Sequence, residues 1–458
     1  MKDLAVIVLA AGLGTRMKSS TVKVLHPLAG RPMLLWVLES VLALRPDSVV
    51  TVVGHQSHRV RGVLPDGVLA AVQKEQLGTA HAVITGISRL KGFNGTVMVV
   101  SGDTPLLGAD TLKGLAIRHR RTGADVSVLT AAMPDPSGYG RIIRDDKGVI
   151  GIVEHKDASP AERAITEINT GTYCFGTKAL RAALKSVRTE NAQREFYLTD
   201  VVGITRSLGG RVLGIPTERP DEALGINSRA DLAEAERMMR QRINIKLMEA
   251  GVTITDPQNT YIGAGVSIGR DTVIHPSNHI SGDTAIGSGC TVLPGNIITD
   301  SAIKDNVVIK GYSVLTRARV EEDAQIGPFA HLRPGSDVGK DARVGNFVEL
   351  KKTVIGKGSK ASHLSYLGDS SIGSGVNIGA GTITCNYDGY GKFRTVIEDG
   401  VFVGSDTQFV APVKVGRGAV IAAGTTVTED VPKDALAIAR TPQTNKPGWA
   451  KRRRASKT

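Results

Sequence analysis

The sequence predicts two folds in series: an α/β domain with a parallel sheet, then a parallel β-helix built from six-residue repeats. Three observations predict it. The first half alternates short apolar runs with helical stretches, as strand-helix-strand units do. In the second half small aliphatics recur every six residues, at Ile262, Ile268, Ile274, Ile280, Ile286, Val292 and Ile298. The chain's 458 residues exceed what one ordinary core encloses, so more than one domain is required.

Composition bounds the function. Apolar residues make up 41% of the chain and aromatics only 4%, which predicts aliphatic packing. The 53 glycines show no period of three, so a collagen-like chain is excluded. Lys and Arg exceed Asp and Glu by 13, and such a surface attracts nucleic acid, lipid headgroups, nucleotides or phosphorylated metabolites. Lys451, Arg452, Arg453, Arg454 and Lys457 crowd the C-terminus, and the tail from about 451 reads as disordered and solvated. Few aromatics and no recognisable nucleic-acid module argue against a nucleic-acid partner. Cys174, Cys290 and Cys385 share no close spacing, so neither a disulfide framework nor a metal site follows. The apolar run Leu4 to Ala11 is too short to cross a membrane and lacks a signal-peptide layout. A soluble cytoplasmic protein with no membrane partner is expected.

Leu4 to Ala11 reads as a strand buried on both faces, running into Gly12-Leu13-Gly14-Thr15-Arg16-Met17. A glycine-rich turn after a strand lets backbone N–H groups approach a phosphate, and the Arg16 fork suits phosphate oxygens. Such turns also arise for steric reasons alone, and the spacing is neither the dinucleotide fingerprint nor the Walker loop. Lys23, inside the apolar Val22-Lys23-Val24-Leu25, is either a surface residue or a phosphate ligand. A helix is predicted over Met33 to Leu44, a strand over Val49 to Gly54, a helix over Thr79 to Arg89 and a strand over Gly95 to Val100. The last of these ends at Ser101-Gly102-Asp103, at the carboxyl edge where open α/β sheets bind ligands. Asp103 there is a candidate Mg²⁺ ligand, or else a turn or N-cap residue before Thr104-Pro105.

Asp125 to Thr130 is a further strand, and Tyr139 to Ile142 with Ile150 to Glu154 reads as a hairpin carrying polar residues over a pocket. Glu167 to Gly171 is a second polar segment, before the strand Tyr173 to Phe175. Ser228-Arg229-Ala230-Asp231 is a helix-capping signature, and Gly251 closes the helix. The expected organisation is a domain over 1–227, a helical arm over 228–250 and a β-helix over 251–458.

Six residues supply one short strand and one turn, so three repeats close a triangular coil. After a phase slip the series resumes at Val308, Val314, Val320, Ile326, Leu332, Val338, Val344 and Leu350. It continues with Ile372, Ile378, Val403, Phe409, Val415, Ile421 and Val427. Asn386 to Thr395 cannot fit a regular coil and is expected to loop out, where binding tends to sit. The interval from Lys351 to His363 also reads as irregular. His363 is either a hydrogen-bonded surface residue or a general base.

From Leu4 to about Trp449 the chain resembles the bacterial bifunctional enzymes of UDP-N-acetylglucosamine synthesis. These join an N-acetylglucosamine-1-phosphate uridylyltransferase to a glucosamine-1-phosphate N-acetyltransferase. The resemblance implies a Rossmann-like α/β nucleotidyltransferase domain followed by a left-handed parallel β-helix. It implies that Leu9, Ala10, Ala11, Gly12, Gly14, Thr15 and Arg16 bind the UTP phosphates with help from Lys23. Gln73, Gln76, Gly78 and Thr79 would recognise uracil. Asp103 and Asn227 would hold one or two Mg²⁺ ions, and Ser101 and Gly102 would line the same site. Gly140, Glu154, Asn169 and Asn227 would contact the amino sugar. Some members carry tyrosine where Ser101 stands.

For acetyl transfer the resemblance implies His363 as general base. Arg333, Lys351, Tyr366, Asn377 and Lys392 would bind glucosamine 1-phosphate. Ala380, Asn386, Tyr387, Ser405, Ala423 and Arg440 would bind acetyl-CoA, with Asn386 orienting the base or polarising the thioester. It further implies a homotrimer that makes a precursor of peptidoglycan and, in organisms that have it, lipopolysaccharide. The rival expectation is a single-function sugar-1-phosphate nucleotidyltransferase whose β-helix only assembles the oligomer.

Overall fold

The computed structural model describes residues 1–456. The backbone divides into two compact units, Met1–Met239 and Arg240 onward. The division falls inside the helix Arg229–Glu249, close to the span that the capping signature predicts. At its start the Asp231 carboxylate accepts from the N–H groups of Asn227 and Ser228 at 2.9 Å each, and the Ser228 hydroxyl accepts from Asp231 N–H at 3.2 Å. Orphan donors of the first turn are thereby satisfied, and Asn227 is fixed in place.

In the first unit a nine-stranded sheet has Leu4–Ala10 near its centre, parallel to Thr96–Ser101 on one side and Ser48–Val53 on the other. Leu4 through Val8 are completely buried, which is why this run is apolar without alternation. Glu167–Gly176 pairs antiparallel with both Thr96–Ser101 and Val126–Ala132. The two segments expected at 167–171 and 173–175 are therefore one strand, with a register shift between Asn169 and Tyr173. The hairpin Arg141–Asp145 and Gly148–Val153 forms as expected. The edge strand Val68–Val72 is an addition. Its alanine-rich, partly exposed sequence shows neither a strand nor a helix period.

The second unit is a left-handed parallel β-helix with three sheets of eleven, ten and nine strands. The chain visits them in turn, so each strand pairs with the strand one coil ahead. Inward aliphatics from Val252 to Val431 form one continuous core in which, among the described residues, Phe409 is the only aromatic.

The phase slip has a structural cause. At the corner between the second and third faces the inward residues are six apart at four coils, as in Ile280 to Ile286. At four others they are five apart: Ile298 to Ile303, Leu315 to Val320, Leu350 to Ile355 and Leu367 to Ile372. These tight corners turn on Asp300, Arg317, Lys352 and Asp369, each with positive φ. The second of them, Leu315 to Val320, moves the register by one, so Ile309 and Leu315 point inward, not Val308 and Val314 as a six-residue count through Val320 predicts. The interval from Lys351 to His363 is regular coil, contrary to expectation. Its inward residues are Ile355, after a five-residue step, and Ala361, too small to stand out in the pattern. The Asn386 segment does loop out, from the same corner, between Ile383–Cys385 and Thr395–Ile397.

The C-terminal segment expected to be disordered forms an exposed helix, Trp449–Ala455. Lys, Arg and Ala all favour helix once Gly448 has turned the chain with a φ of 70°. Lys457 lies outside the described residues. No helix among the described residues is long and apolar enough to cross a membrane.

The register can be checked by substitution. Ile309→Asp places a charge in the aliphatic stack and should cost at least about 3 kcal/mol, whereas Val308→Asp, half-buried on the outer surface, should cost about 1 kcal/mol or less. Thermal melts followed by the coil's β signal would rank the two; the reverse order would restore the six-residue count.

Candidate functional site

In the first unit a cleft of about 410 Å³ opens at the carboxyl ends of the central strands. Its walls include Leu9, Ala10, Ala11, Gly12, Gly14 and Thr15 from the first turn, Gln73, Gln76, Gly78 and Thr79 from the segment before the helix Thr79–Ile87, and Lys23, Ser101 and Asp103. Most of the residues expected to contact UTP thus converge on one cavity. Leu13 of the glycine-rich turn also lines it, as do Val24, Ala82 and Glu195, which the sequence did not single out. Arg16 is exposed in the same turn but is not part of this wall.

Close backbone approach shapes the cleft. Gly54 lies against the first turn so tightly that a Cβ would stand 2.6 Å from Ala11 O and 2.8 Å from Gln76 Nε2. Gly78 has φ +110°, and a Cβ there would meet Phe196 O at 2.6 Å. Gln73 is buried, donating to Gly78 O at 3.2 Å and lying 3.0 Å from His81 Nδ1.

Lys23 sits on a 3-10 turn with its Nζ 2.5 Å from Asp103 Oδ2 and 2.7 Å from Asn227 Oδ1. Two oxygens from the end of a central strand and from a helix cap therefore converge on one cation. One carboxylate and one amide oxygen make the kind of sparse, hard donor set that Mg²⁺ accepts, since that ion keeps waters and substrate phosphates as its other ligands.

The polar excursion brings a second group together. A Cβ on Gly140 would lie 3.5 Å from Glu154 Oε2 and 3.6 Å from the Asn169 Cβ, and Asn169 N–H donates to Gly140 O at 2.8 Å. Asn169 Nδ2 donates to the Tyr173 hydroxyl at 2.7 Å, and Thr199 Oγ1 donates to Glu154 Oε1 at 3.2 Å. Ser101 joins them, since a Cβ on Gly171 would be 3.0 Å from its Oγ. Gly102 packs beneath, donating to Leu9 O at 2.8 Å. Burial pushes the Glu154 carboxyl up from its ordinary value; the Thr199 hydroxyl opposes this, and the charges of Asp157 and Asp200 add to it.

On the coil, parallel register converts distant residues into a column. Val344, Ala361, Ile378, Val403 and Ile421 stack inward in successive coils. Two residues beyond each stand Asn346, His363, Ala380, Ser405 and Ala423. Arg440 Nη1 donates to Ala423 O at 2.8 Å and closes the row. With rungs about 4.8 Å apart, His363 and Ala423 are separated by about 14 Å. His363 is exposed, and its Nδ1 lies 2.8 Å from Asn346 Oδ1.

The corner that follows carries the cations. Lys351 pairs with Gly368, and Tyr366 pairs with Glu349, whose carboxylate accepts from Arg333 Nη1 at 2.8 Å. The Lys351 ammonium holds the Lys392 pKa below the ordinary lysine value, so two like charges face each other in the open. Asn386, buried at the loop's base, donates to Asp369 Oδ2 at 2.5 Å, and Tyr387 pairs with Lys392 across the loop. Asn386 is thus paired with Asp369, and it is Asn346 that meets the imidazole. Asn377 lies on the first face, paired with Lys360 and Phe402.

Comparison with known proteins adds the family. Residues 6–200 match the MobA-like NTP transferase domain, and residues 394–429 match the bacterial transferase hexapeptide model of six repeats. The bifunctional protein GlmU of Trichlorobacter lovleyi is 55% identical over 453 residues, covering 98% of this chain and 98% of that protein. Those of Geotalea uraniireducens and Brevibacillus brevis are 53% and 50% identical, with 98% of this chain covered in each case and 99% and 98% of theirs. The chain belongs to the GlmU family of bifunctional proteins. In this GlmU-family chain the cleft at the ends of the central strands lies within the NTP-transferase match, and the Asn386 loop leads into the hexapeptide match.

The raised Glu154 carboxyl gives a pH signature. The unfolded chain releases this proton near the ordinary glutamate value of about 4.3, before the folded chain does, so stability falls as pH rises from there through the folded value. Glu154→Gln should therefore melt higher than the parent at pH 7.5, with the gap closing below about pH 4. Equal melting temperatures at both pH values would refute the burial argument.

Proposed function

We propose that the chain acetylates glucosamine 1-phosphate with acetyl-CoA and then transfers UMP from UTP to the resulting N-acetylglucosamine 1-phosphate, releasing pyrophosphate. The product is UDP-N-acetylglucosamine. The observation that carries this reading is the presence, in one GlmU-family chain, of a cleft with a convergent oxygen pair and of a coil that carries both an exposed histidine and two opposed lysines.

In acetyl transfer the facing ammonium groups of Lys351 and Lys392, with Arg333 nearby, receive the sugar phosphate, which relieves their mutual repulsion. Tyr366 and Asn377 border the sugar. His363 takes a proton from the amine as its nitrogen attacks the thioester carbonyl, and the CoA thiolate leaves as the tetrahedral intermediate collapses. Small residues at Ala380, Ser405 and Ala423 leave a trough for the extended arm of acetyl-CoA, with Asn386 and Tyr387 at one side and Arg440 at the far end.

In uridylyl transfer a phosphate oxygen of the sugar phosphate attacks the α-phosphorus of UTP in line with the departing pyrophosphate, and no protein nucleophile is needed. Gln73 and Gln76 border the base, the Gly12 to Thr15 turn holds the phosphates, and Gly140, Glu154 and Asn169 hold the sugar. Mg²⁺ bound to Asp103 and Asn227 would neutralise phosphate charge. Lys23 and Arg16 supply fixed positive charge for the oxygens that gain it.

The active form in this proposal is a cytoplasmic homotrimer. Support for assembly comes from the corner beside His363, where Tyr312, Phe329 and Phe347 form an exposed stack with ring centroids 5.5 and 5.2 Å apart. Contiguous exposed apolar side chains are a mark of interaction surfaces. A coil serving only as an assembly scaffold gives no reason for the opposed lysines.

The test is a mass-spectrometric assay with glucosamine 1-phosphate, acetyl-CoA, UTP and Mg²⁺, and parallel reactions omitting acetyl-CoA or UTP. Asp103→Ala should cut uridylyl transfer by at least about a hundredfold and spare acetyl transfer; His363→Ala should do the opposite, by about a hundredfold or more. Uridylylation of added N-acetylglucosamine 1-phosphate without any acetylation by the parent protein would leave the coil as a scaffold.

A further inference from the structure

Asn346 closes the strand Arg343–Asn346, and His363 closes Lys360–His363 one coil later, in direct register with it. Their backbones are linked as well, because Leu364 N–H donates to Asn346 O at 3.1 Å. The two residues' backbones are therefore held at a fixed spacing along the coil axis. Its Oδ1 stands 2.8 Å from His363 Nδ1. An amide oxygen carries only lone pairs, so this contact requires a proton on Nδ1.

That requirement decides what the histidine can do. A neutral imidazole with its proton on Nδ1 has its free lone pair on Nε2, facing away from Asn346. The other tautomer would carry a proton on Nε2 and could not accept one there. Once Nε2 has taken a proton the ring is cationic, and the bond from Nδ1–H to the amide oxygen becomes charge-assisted and stronger. The acceptor is neutral, so it orients the ring without placing a full negative charge beside it.

We propose that Asn346 is a positioning residue for acetyl transfer: it selects the His363 tautomer whose Nε2 receives the amine proton and fixes the ring plane. The role rests on the assignment of His363 as general base. Neither the repeat pattern nor the resemblance singles out this residue, since it becomes visible only when two coils are stacked.

The experiment compares the full-length protein with its Asn346→Leu and Asn346→Asp variants in both half-reactions. Leucine has a similar volume and no acceptor, while aspartate restores an oxygen at the same place. Asn346→Leu should lower kcat for acetyl transfer by about tenfold or more, with KM for both acetyl-transfer substrates changed by less than about twofold. Asn346→Asp should recover most of the lost kcat. Uridylyl transfer, measured on the same samples, should not change. Full kcat in Asn346→Leu, a loss confined to KM, or an aspartate variant as slow as the leucine one would each overturn the proposal. His363→Gln is measured in parallel: if it keeps the parent rate, the general-base reading fails and takes the role of Asn346 with it.

Discussion

The coil depends on one constraint, the vertical stacking of inward aliphatics from each turn onto the next. Strand side chains alternate with a period of two, so the inward residue fixes which neighbours face out. When Ala361 stacks between Val344 and Ile378, the residues two places on are forced into line as well. His363 owes its neighbours Asn346 and Ala380 to that alignment and to nothing local in its own sequence. The same constraint decides where variation is tolerated. All four five-residue steps and the long excursion fall at the corner between the second and third faces, where residues can be lost or added without moving a stacked position.

Most of the architecture was legible because it rests on period and punctuation. The Leu4 run, the helix capped at Ser228 and the six-residue recurrence each carry a signal that a linear reading captures. Failures occurred where a residue's place depends on its neighbour in space. Val308 and Ile309 are both aliphatic, so a count of six cannot choose between them once a five-residue step has intervened. Ala361 is fully buried but too small to mark a repeat. The strand Val68–Val72 is held by its partner Ser48–Val53 rather than by its own propensity.

The candidate sites divide in the same way. The glycine turn after the first strand and Asp103 at the end of another were readable from position alone. The residues expected to meet uracil, sugar and acetyl-CoA follow from family resemblance, and the fold gives many of them common surroundings: a cleft for some, a column for others. Glu195 in the cleft wall and Asn346 beside His363 are reached only through folding, because nothing in their sequence surroundings distinguishes them from ordinary surface residues.

Both sites hold arrangements that stability alone would not select. Glu154 is a carboxyl in a place that disfavours its charge, and Lys392 is an ammonium beside another ammonium. Tyr312, Phe329, Phe347 and Leu364 adopt left-handed backbone at the corner next to the histidine column, with φ between 43° and 60°. Each such residue costs on the order of 1 kcal/mol. Rigid frames make this tolerable: a central strand buried on both faces in one unit, and a continuous aliphatic stack in the other. Left-handed backbone also marks corners away from the histidine column, such as Asp271 and Asn306, so it belongs to the turns of the coil in general. The buried Glu154 carboxyl and the Lys351–Lys392 pair are conflicts of charge rather than of turn geometry, and perturbed charges of that kind are the better pointer to a candidate site.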